Sequence, residues 1–450
     1  MLRETLNRAD LREHPERGAD LRWVLADGLF ALGDSEATFT EAAEAVRLVS
    51  ARPATIEKLL ALETYASLYP MLITLDPLGG VLPAQEALTV AHELGDDRAL
   101  HSAHNMLGFV LAWSGSIDAG REHKERALAI AERLGGPELV LLSYAGLFTP
   151  LYLHPERRRT EPGLLADEIL ARFGSDPSLD ALMPWGWMGY SFLLAGQWER
   201  AATVIERMAR QEREGFDLTH VRHLRGCLCW MQGRLDEAAE EMAAAVVPGL
   251  SPRWYHDVFD LQADVAADRG DVEQVRAIAA RYQATDVHRA EEALKSAVMR
   301  SLIRAEVQAA CDSTGPSRAD HARRARAALR AMQDLVARFP PPTGGSIQLE
   351  TAATNLAVGK AEVARLTTPR PELWADVATH ASYAYWRLYA SWRRADALFA
   401  TDRAGEAVLA LRHAHEGAKS LGAALMQRRL EALAASRGVP LDLPSVVTSG

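Results

Sequence analysis

His220, His223 and Cys227 are spaced so that a helix would place all three on one face, with Cys229 close behind. Imidazole and thiolate are ordinary zinc ligands, so this is the first place to ask about a metal. Register argues for a blander role. Cys229 falls four residues before Gly233, where Leu111 and Phe192 stand in neighbouring stretches, so it reads as a small buried hydrophobe. His101 and His104 form a second pair one helical turn apart, downstream of Asp96 and Asp97. No fourth ligand follows, and a surface or capping role is expected. No metal or other cofactor is called for.

Aromatic side chains offer a second kind of chemistry. Tyr385, Tyr389 and Trp392 share one helical face, with Trp374, Tyr383 and Trp386 nearby, and Trp185, Trp187, Tyr190 and Trp198 make another group. Stripes at helical spacing usually pack a core. The competing reading makes Trp185, Tyr190, Tyr385, Tyr389 and Trp392 contacts for a peptide or ligand in a groove, where aromatics serve as rigid anchors. Arg318, Arg323, Arg324, Arg326 and Arg330 follow one another on one predicted helix, and Arg157, Arg158 and Arg159 sit in a loop. In a chain of formal net charge −10 these read as solvated faces rather than a nucleic-acid surface. There is no Gly-x-Ser-x-Gly, no His-Glu-x-x-His and no phosphate-binding Gly-x-x-x-x-Gly-Lys-Ser/Thr; Gly359-Lys360 runs into Ala361. No catalytic residues are assigned, and an enzyme is not expected.

What must position these residues is a repeat. Gly196, Gly233 and Gly270 recur at equal intervals of 37 residues, each closing one helix and followed by an acidic residue that opens another. Gly189 and Gly226 stand seven residues earlier, inside the first helix. A mid-helix glycine costs roughly 1 kcal/mol against alanine, so its recurrence points to a backbone approached too closely for a Cβ. Ala201, Ala238 and Val275 follow the turn glycines by five residues. Leu107-Gly108, Gly115 and Ala127 repeat the pattern upstream, and turns fall near residues 33, 77, 115, 157, 196, 233, 270 and 314.

The expected fold is therefore all-α: a right-handed α-solenoid of about ten helical hairpins without a sheet. The array spans 1–339. Pro340, Pro341 and Pro342 with Gly344 and Gly345 make a hinge or loop at 340–345, further hairpins occupy 346–437, and 438–450 form a flexible tail. With 450 residues, 48% hydrophobic and 24% charged, the chain can bury a large core. Three cysteines give no disulfide framework, the charged N-terminus is no signal peptide, and no apolar run reaches the ~18 residues of a membrane span, so a cytoplasmic protein is expected.

The period, the Leu-Gly in the first helix, the turn glycine and the alanine in the second helix resemble the tetratricopeptide repeat (TPR), best at Trp185, Gly189, Phe192, Gly196 and Ala201. A narrower stretch, Tyr389 to Leu398 with Asp402-Arg403-Ala404, Ala410 to His415, Leu421-Gly422-Ala423 and Leu430 to Ala434, resembles the last repeats of large ATP-binding LuxR-type, maltose-activator-like bacterial transcriptional regulators. The ATPase and helix-turn-helix of that family have no counterpart here. The resemblance implies a non-catalytic, TPR-like protein–protein interaction module linked to bacterial transcriptional regulation. The alternative is an effector sensor that binds a small molecule in its concave groove. A protein or peptide partner is expected, a small-molecule effector is the second option, and specific DNA binding by this chain alone and membrane association are not expected.

Overall fold

The computed structural model describes residues 14–32, 34–72, 78–154, 157, 160–176, 179, 184–210, 216–246, 256–285, 289–339, 347–381 and 383–441. The expected 340–345 hinge, the N-terminal lead and tail residues 442–450 lie outside them. Among the described residues there are 21 α-helices and no strand. Ten hairpins follow in order: α1 (Pro15–Leu32) with α2 (Ser35–Val49), α3 (Ile56–Leu72) with α4 (Val81–Leu94), α5 (Asp97–Trp113) with α6 (Ile117–Leu134), α7 (Pro137–Leu153) with α8 (Glu161–Phe173), and α9 (Pro184–Ala195) with α10 (Trp198–Ala209). Then come α11 (Phe216–Met231) with α12 (Leu235–Ala244), α13 (His256–Arg269) with α14 (Val272–Gln283), α15 (Lys295–Asp312) with α16 (Gly315–Val336), α17 (Ile347–Ala364) with α18 (Pro371–His380), and α19 (Ala384–Ala400) with α20 (Ala404–Leu421). Helix α21 (Ala424–Arg437) closes the stack. Arg289–Leu294 is a 3-10 turn, and α15 begins at Lys295.

Through the ninth hairpin, the first helix of one also packs on the first helix of the next, so α1, α3, α5, α7, α9, α11, α13, α15 and α17 stack as an inner layer. The chain is a right-handed α-solenoid of TPR-like hairpins. One device builds four of the turns inside hairpins. Gly115, Gly196, Gly233 and Gly270 have φ of +93°, +82°, +82° and +78°, a region that favours a residue without a Cβ. The next residue's N–H then closes each helix on a carbonyl five residues back: Ser116 to Leu111, Gln197 to Phe192, Arg234 to Cys229 and Asp271 to Ala266, at 2.8–2.9 Å. Asp402 takes the glycine's place in the fifth such turn, at φ +56°.

The mid-helix glycines divide. A Cβ on Gly226 would lie 2.4 Å from Met242 Cε, and one on Gly108 would lie 2.7 Å from the Gly120 carbonyl. At Gly189 nothing comes nearer than 3.5 Å, ordinary contact, so close packing accounts for only the first two. Past α21, residues 438–441 are fastened. Gly438 caps the helix at φ +64°, and Arg412 Nε and Nη2 donate to the Pro440 carbonyl at 3.1 and 3.0 Å.

Candidate functional site

The inner layer shows its residues at fixed distances before the turn glycine. Six residues before it stand Phe109, Tyr190, Cys227 and Asp264, and ten before it Asn105, Gly186, His223 and Asp260. Two or three before it stand Trp113, Trp230 and Asp268. These positions form one strip along the inside of the solenoid.

In the middle units the strip is covered by the chain's own end. Tyr383, ahead of α19, donates its hydroxyl to that of Tyr190, with the rings edge-on at 5.8 Å. The Trp230 ring lies 4.1 Å from that of Tyr385 and 5.9 Å from that of Trp386. A Cβ on Gly233 would stand 2.8 Å from the Leu425 nitrogen, so the start of α21 abuts that turn. One continuous apolar core accordingly joins Trp185, Trp230 and Tyr282 to Trp374, Tyr385, Leu411 and Leu430.

Charges fasten this seam. Asp268, at the end of α13, accepts from Arg304 Nη2 (2.6 Å), Trp230 Nε1 (2.7 Å), Arg429 Nη2 (3.0 Å) and the Tyr385 hydroxyl (3.0 Å). Burial alone would raise its pKa, but Arg304 and Arg429 hold the carboxyl well below the usual range. One turn back, Asp264 accepts from Arg300 Nη2 (2.6 Å), Arg304 Nη1 (3.0 Å) and Ser301. Arg300 also donates to Asn355 on α17 at 2.6 Å and stacks on Trp386 at 4.2 Å. Farther along, Glu362 takes Arg365 Nη1 at 2.6 Å and the Tyr389 hydroxyl. A carboxylate offers about four acceptor positions, and Asp268 fills all of them. Such an arrangement positions helices; it has no proton to give and no place for a reacting group.

The aromatic residues singled out from sequence fall on both sides of this seam. Tyr385 and Tyr389 are buried on α19, Trp392 is half-buried between Arg393 (3.8 Å) and Arg429 (5.1 Å), and Tyr190 meets the same helix through Tyr383. Trp185 stands apart, fully buried, with Arg207 over its ring at 3.9 Å and its N–H on the Leu179 carbonyl at 2.7 Å. The thiol–imidazole group is also interior: His223 Nε2 lies 3.3 Å from Cys227 Sγ, Cys229 is buried, and burial pushes its thiol pKa up. Among the described residues no three His, Cys, Asp or Glu side chains are arranged to hold a metal. Arg318, Arg323, Arg324, Arg326 and Arg330 are all exposed on α16, where Asp320 pairs with Arg323 and with Arg324 (3.0 Å). Arg157 pairs with Asp118 and Glu161, and Arg158 and Arg159 lie outside the described residues.

Farther toward the N-terminus the strip runs along α5. Ser102, Asn105, Phe109 and Trp113 on α5 are each half-buried. Beside them sit ionisable groups that sequence reading passed over. Lys124 of α6 is buried, its Nζ donates to Asn105 Oδ1 at 2.6 Å, and burial pulls its pKa down to about 7. Glu63 of α3 accepts from Ser102 at 2.8 Å, its other oxygen is buried without a partner, and burial raises its pKa to about 7. His101 and His104 are buried rather than on the surface. His101 Nε2 meets Ser143 Oγ at 2.7 Å, and His104 Nδ1 meets His123 Nδ1 at 2.9 Å, where burial lowers the His104 pKa to about 4. Asp96 is the cap, accepting from the Arg98 and Ala99 N–H groups. Aligning the repeats on their turn glycines would have exposed Lys124, which stands where other units carry Ile205, Met242 and Ala279.

No protein-family model matches the chain, and no curated protein matches it. Among solved structures, the human IFIT1 dimer with m7Gppp-AAAA is 14% identical with a TM-score of 0.37, covering 93% of this chain and 90% of that one. The P58(IPK) TPR domain is 12% identical with a TM-score of 0.23, covering 92% and 99%. Naa15/Naa10 bound to HypK-THB is 13% identical with a TM-score of 0.25, covering 96% and 69%. At these scores the likenesses add nothing to a fold already visible in the hairpins themselves. Among the described residues no helix is long and apolar enough to cross a membrane.

Proposed function

We propose that this chain is a non-catalytic docking module that holds a protein or peptide partner on the inner face of its N-terminal hairpins, in bacterial transcriptional regulation. The observation that carries the reading is the uneven use of one strip. Tyr190 and Asp268, which meet Tyr383, α19 and α21 in the middle units, recur on α5 as Phe109 and Trp113, and there both are half-buried. A half-buried aromatic pair on a rigid helix is the usual make-up of a peptide-binding anchor. The regulatory setting rests on the resemblance of residues 389–434 to the repeats of LuxR-type regulators.

The test is affinity purification from the source cells with the wild-type chain and a Phe109→Asp variant. A partner retained by the wild type and lost by the variant, at unchanged helicity and melting temperature, is expected. Recovery of the same proteins by both would overturn the placement.

A further inference from the structure

Gln308 is a neutral side chain in a place that calls for a charged one. Its Oε1, on α15, accepts from Arg365 Nη2 at 3.1 Å and from Arg393 Nη2 at 3.2 Å. Arg365 stands one residue past α17 and Arg393 lies on α19, so two guanidiniums from separate parts of the chain converge on one uncharged oxygen. Among the described residues the one carboxylate they pair with is Glu362, fully buried, 2.6 Å from Arg365 Nη1 and 3.5 Å from Arg393 Nε. Glu362 also accepts the Tyr389 hydroxyl, whose oxygen in turn accepts from Arg393 Nε at 3.1 Å. Two cations against one anion leave a positive excess where little water reaches, since Arg393 is 6% exposed. Burial, with Arg365 beside it, pulls the Arg393 pKa below the usual guanidinium value. Arg393 Nη1 meets no acceptor among the described residues.

We propose that Arg365 and Arg393 bind the phosphoryl group of a small phosphorylated ligand, with one of its oxygens in the place now held by Gln308 Oε1. That place is already within hydrogen-bond reach of both guanidiniums, and it lies at the edge of solvent. Gln308 is half-buried, and Cys311 and Asp312 beside it on α15 are exposed. The Gln308 amide is tethered outward, its Nε2 donating to the two Asp312 oxygens at 3.0 and 3.1 Å, so its side chain can turn toward Asp312 and vacate the site. A charged acceptor would then hold each guanidinium roughly twice as strongly as a neutral one. A phosphoryl group brings about −1.5 to −2 charge and three acceptor oxygens, which offsets the excess and leaves oxygens for Arg393 Nη1. Arginine suits this better than lysine because its planar fork is set before the ligand arrives. Here Trp392 stacks on Arg393 at 3.8 Å and fixes that plane. The site is separate from the docking face on α5 and does not rest on it. A ligand held by both arginines would tie α19 to the end of α17 and to α15, and so strengthen the return of the C-terminal helices onto the array.

The experiment follows the melting temperature of the full chain against inorganic phosphate, phenyl phosphate, acetate and chloride at matched ionic strength. A saturable rise with phosphate or its ester, and none with acetate or chloride, is expected. Saturation by phosphate alone would assign the site to the free ion, and tighter binding of the ester would assign it to a phosphorylated metabolite; both support the phosphoryl reading. Two variants carry the test without disturbing Glu362. Gln308→Glu places a carboxylate where the ligand oxygen would sit, so it should melt higher than the wild type without ligand and bind phosphate at least tenfold more weakly. Gln308→Ala empties the place and should bind phosphate as tightly as the wild type or more so. Arg393→Met should lose the response, and a variant that does not fold leaves the two Gln308 variants to decide. Equal responses to phosphate and acetate, no response to any anion, or an unchanged phosphate affinity in Gln308→Glu would overturn the proposal.

Discussion

Lys124→Met should make this protein more stable, and by an amount that depends on pH. The amine titrates near 10.5 when unfolded and near 7 when folded, because burial disfavours the charged form. At about 1.4 kcal/mol for each tenfold, that difference is worth about 5 kcal/mol against folding at low pH. The sign follows from proton counting. Between pH 7 and 10.5 the unfolded chain binds more protons at this site than the folded one, so folding strengthens as pH rises through that window. Below pH 7 both states are protonated and the full penalty stands; above 10.5 it vanishes. Methionine removes the penalty at every pH, and Met242 already fills the equivalent place in another unit. Against this, Asn105 Oδ1 loses its donor, at about 1–3 kcal/mol if water does not replace it. The variant should therefore gain about 2–4 kcal/mol at pH 6.5, shrinking toward zero or below by pH 10. Urea denaturation of both chains at pH 6.5, 8.5 and 10, followed by circular dichroism, measures the gap. A gap that stays constant across that range, or a variant less stable than wild type at pH 6.5, would refute the reasoning.

Two other substitutions probe the packing. Gly226→Leu should cost ~1–3 kcal/mol or more, since even a Cβ there would meet Met242 Cε at 2.4 Å; an unchanged melting temperature would show that Met242 swings aside freely. Asp268→Asn leaves Arg304 and Arg429 facing a neutral group in the interior, and loss of one partner of a buried pair typically costs ~3–5 kcal/mol. Limited proteolysis should then cut near α21 sooner than in the wild type, and identical cleavage would mean that the apolar contacts alone hold that helix.

The hairpins were legible because glycine at a left-handed turn and small residues at helix crossings leave a periodic mark, and the turns at Gly196, Gly233 and Gly270 fall where that mark puts them. The seam was not legible. Tyr190 and Tyr383 are 193 residues apart, and no local period couples them. Aromatics at helical spacing look alike whether they pack a core or line a groove, which is why Trp185 and Tyr389, both buried, could be read either way. Lys124 escaped notice for a different reason. Its signal is a departure from the pattern, visible only after the units are superposed.

The return of α19 and α21 onto the middle hairpins changes how this chain can come into being. An open array adds stability one neighbour at a time and tolerates removal of its last units. Here the apolar core that starts near Ala131 is completed only by residues up to Leu441, while α1 to α5 keep small clusters of their own. During synthesis the first hairpins can mature at once, but Trp230 and Asp268 must wait, exposed to water, until more than a hundred further residues have emerged. The rear two-thirds of the molecule is thus completed only when its end meets its middle. A ribosome that stops early leaves a sound front end attached to an unfinished interior.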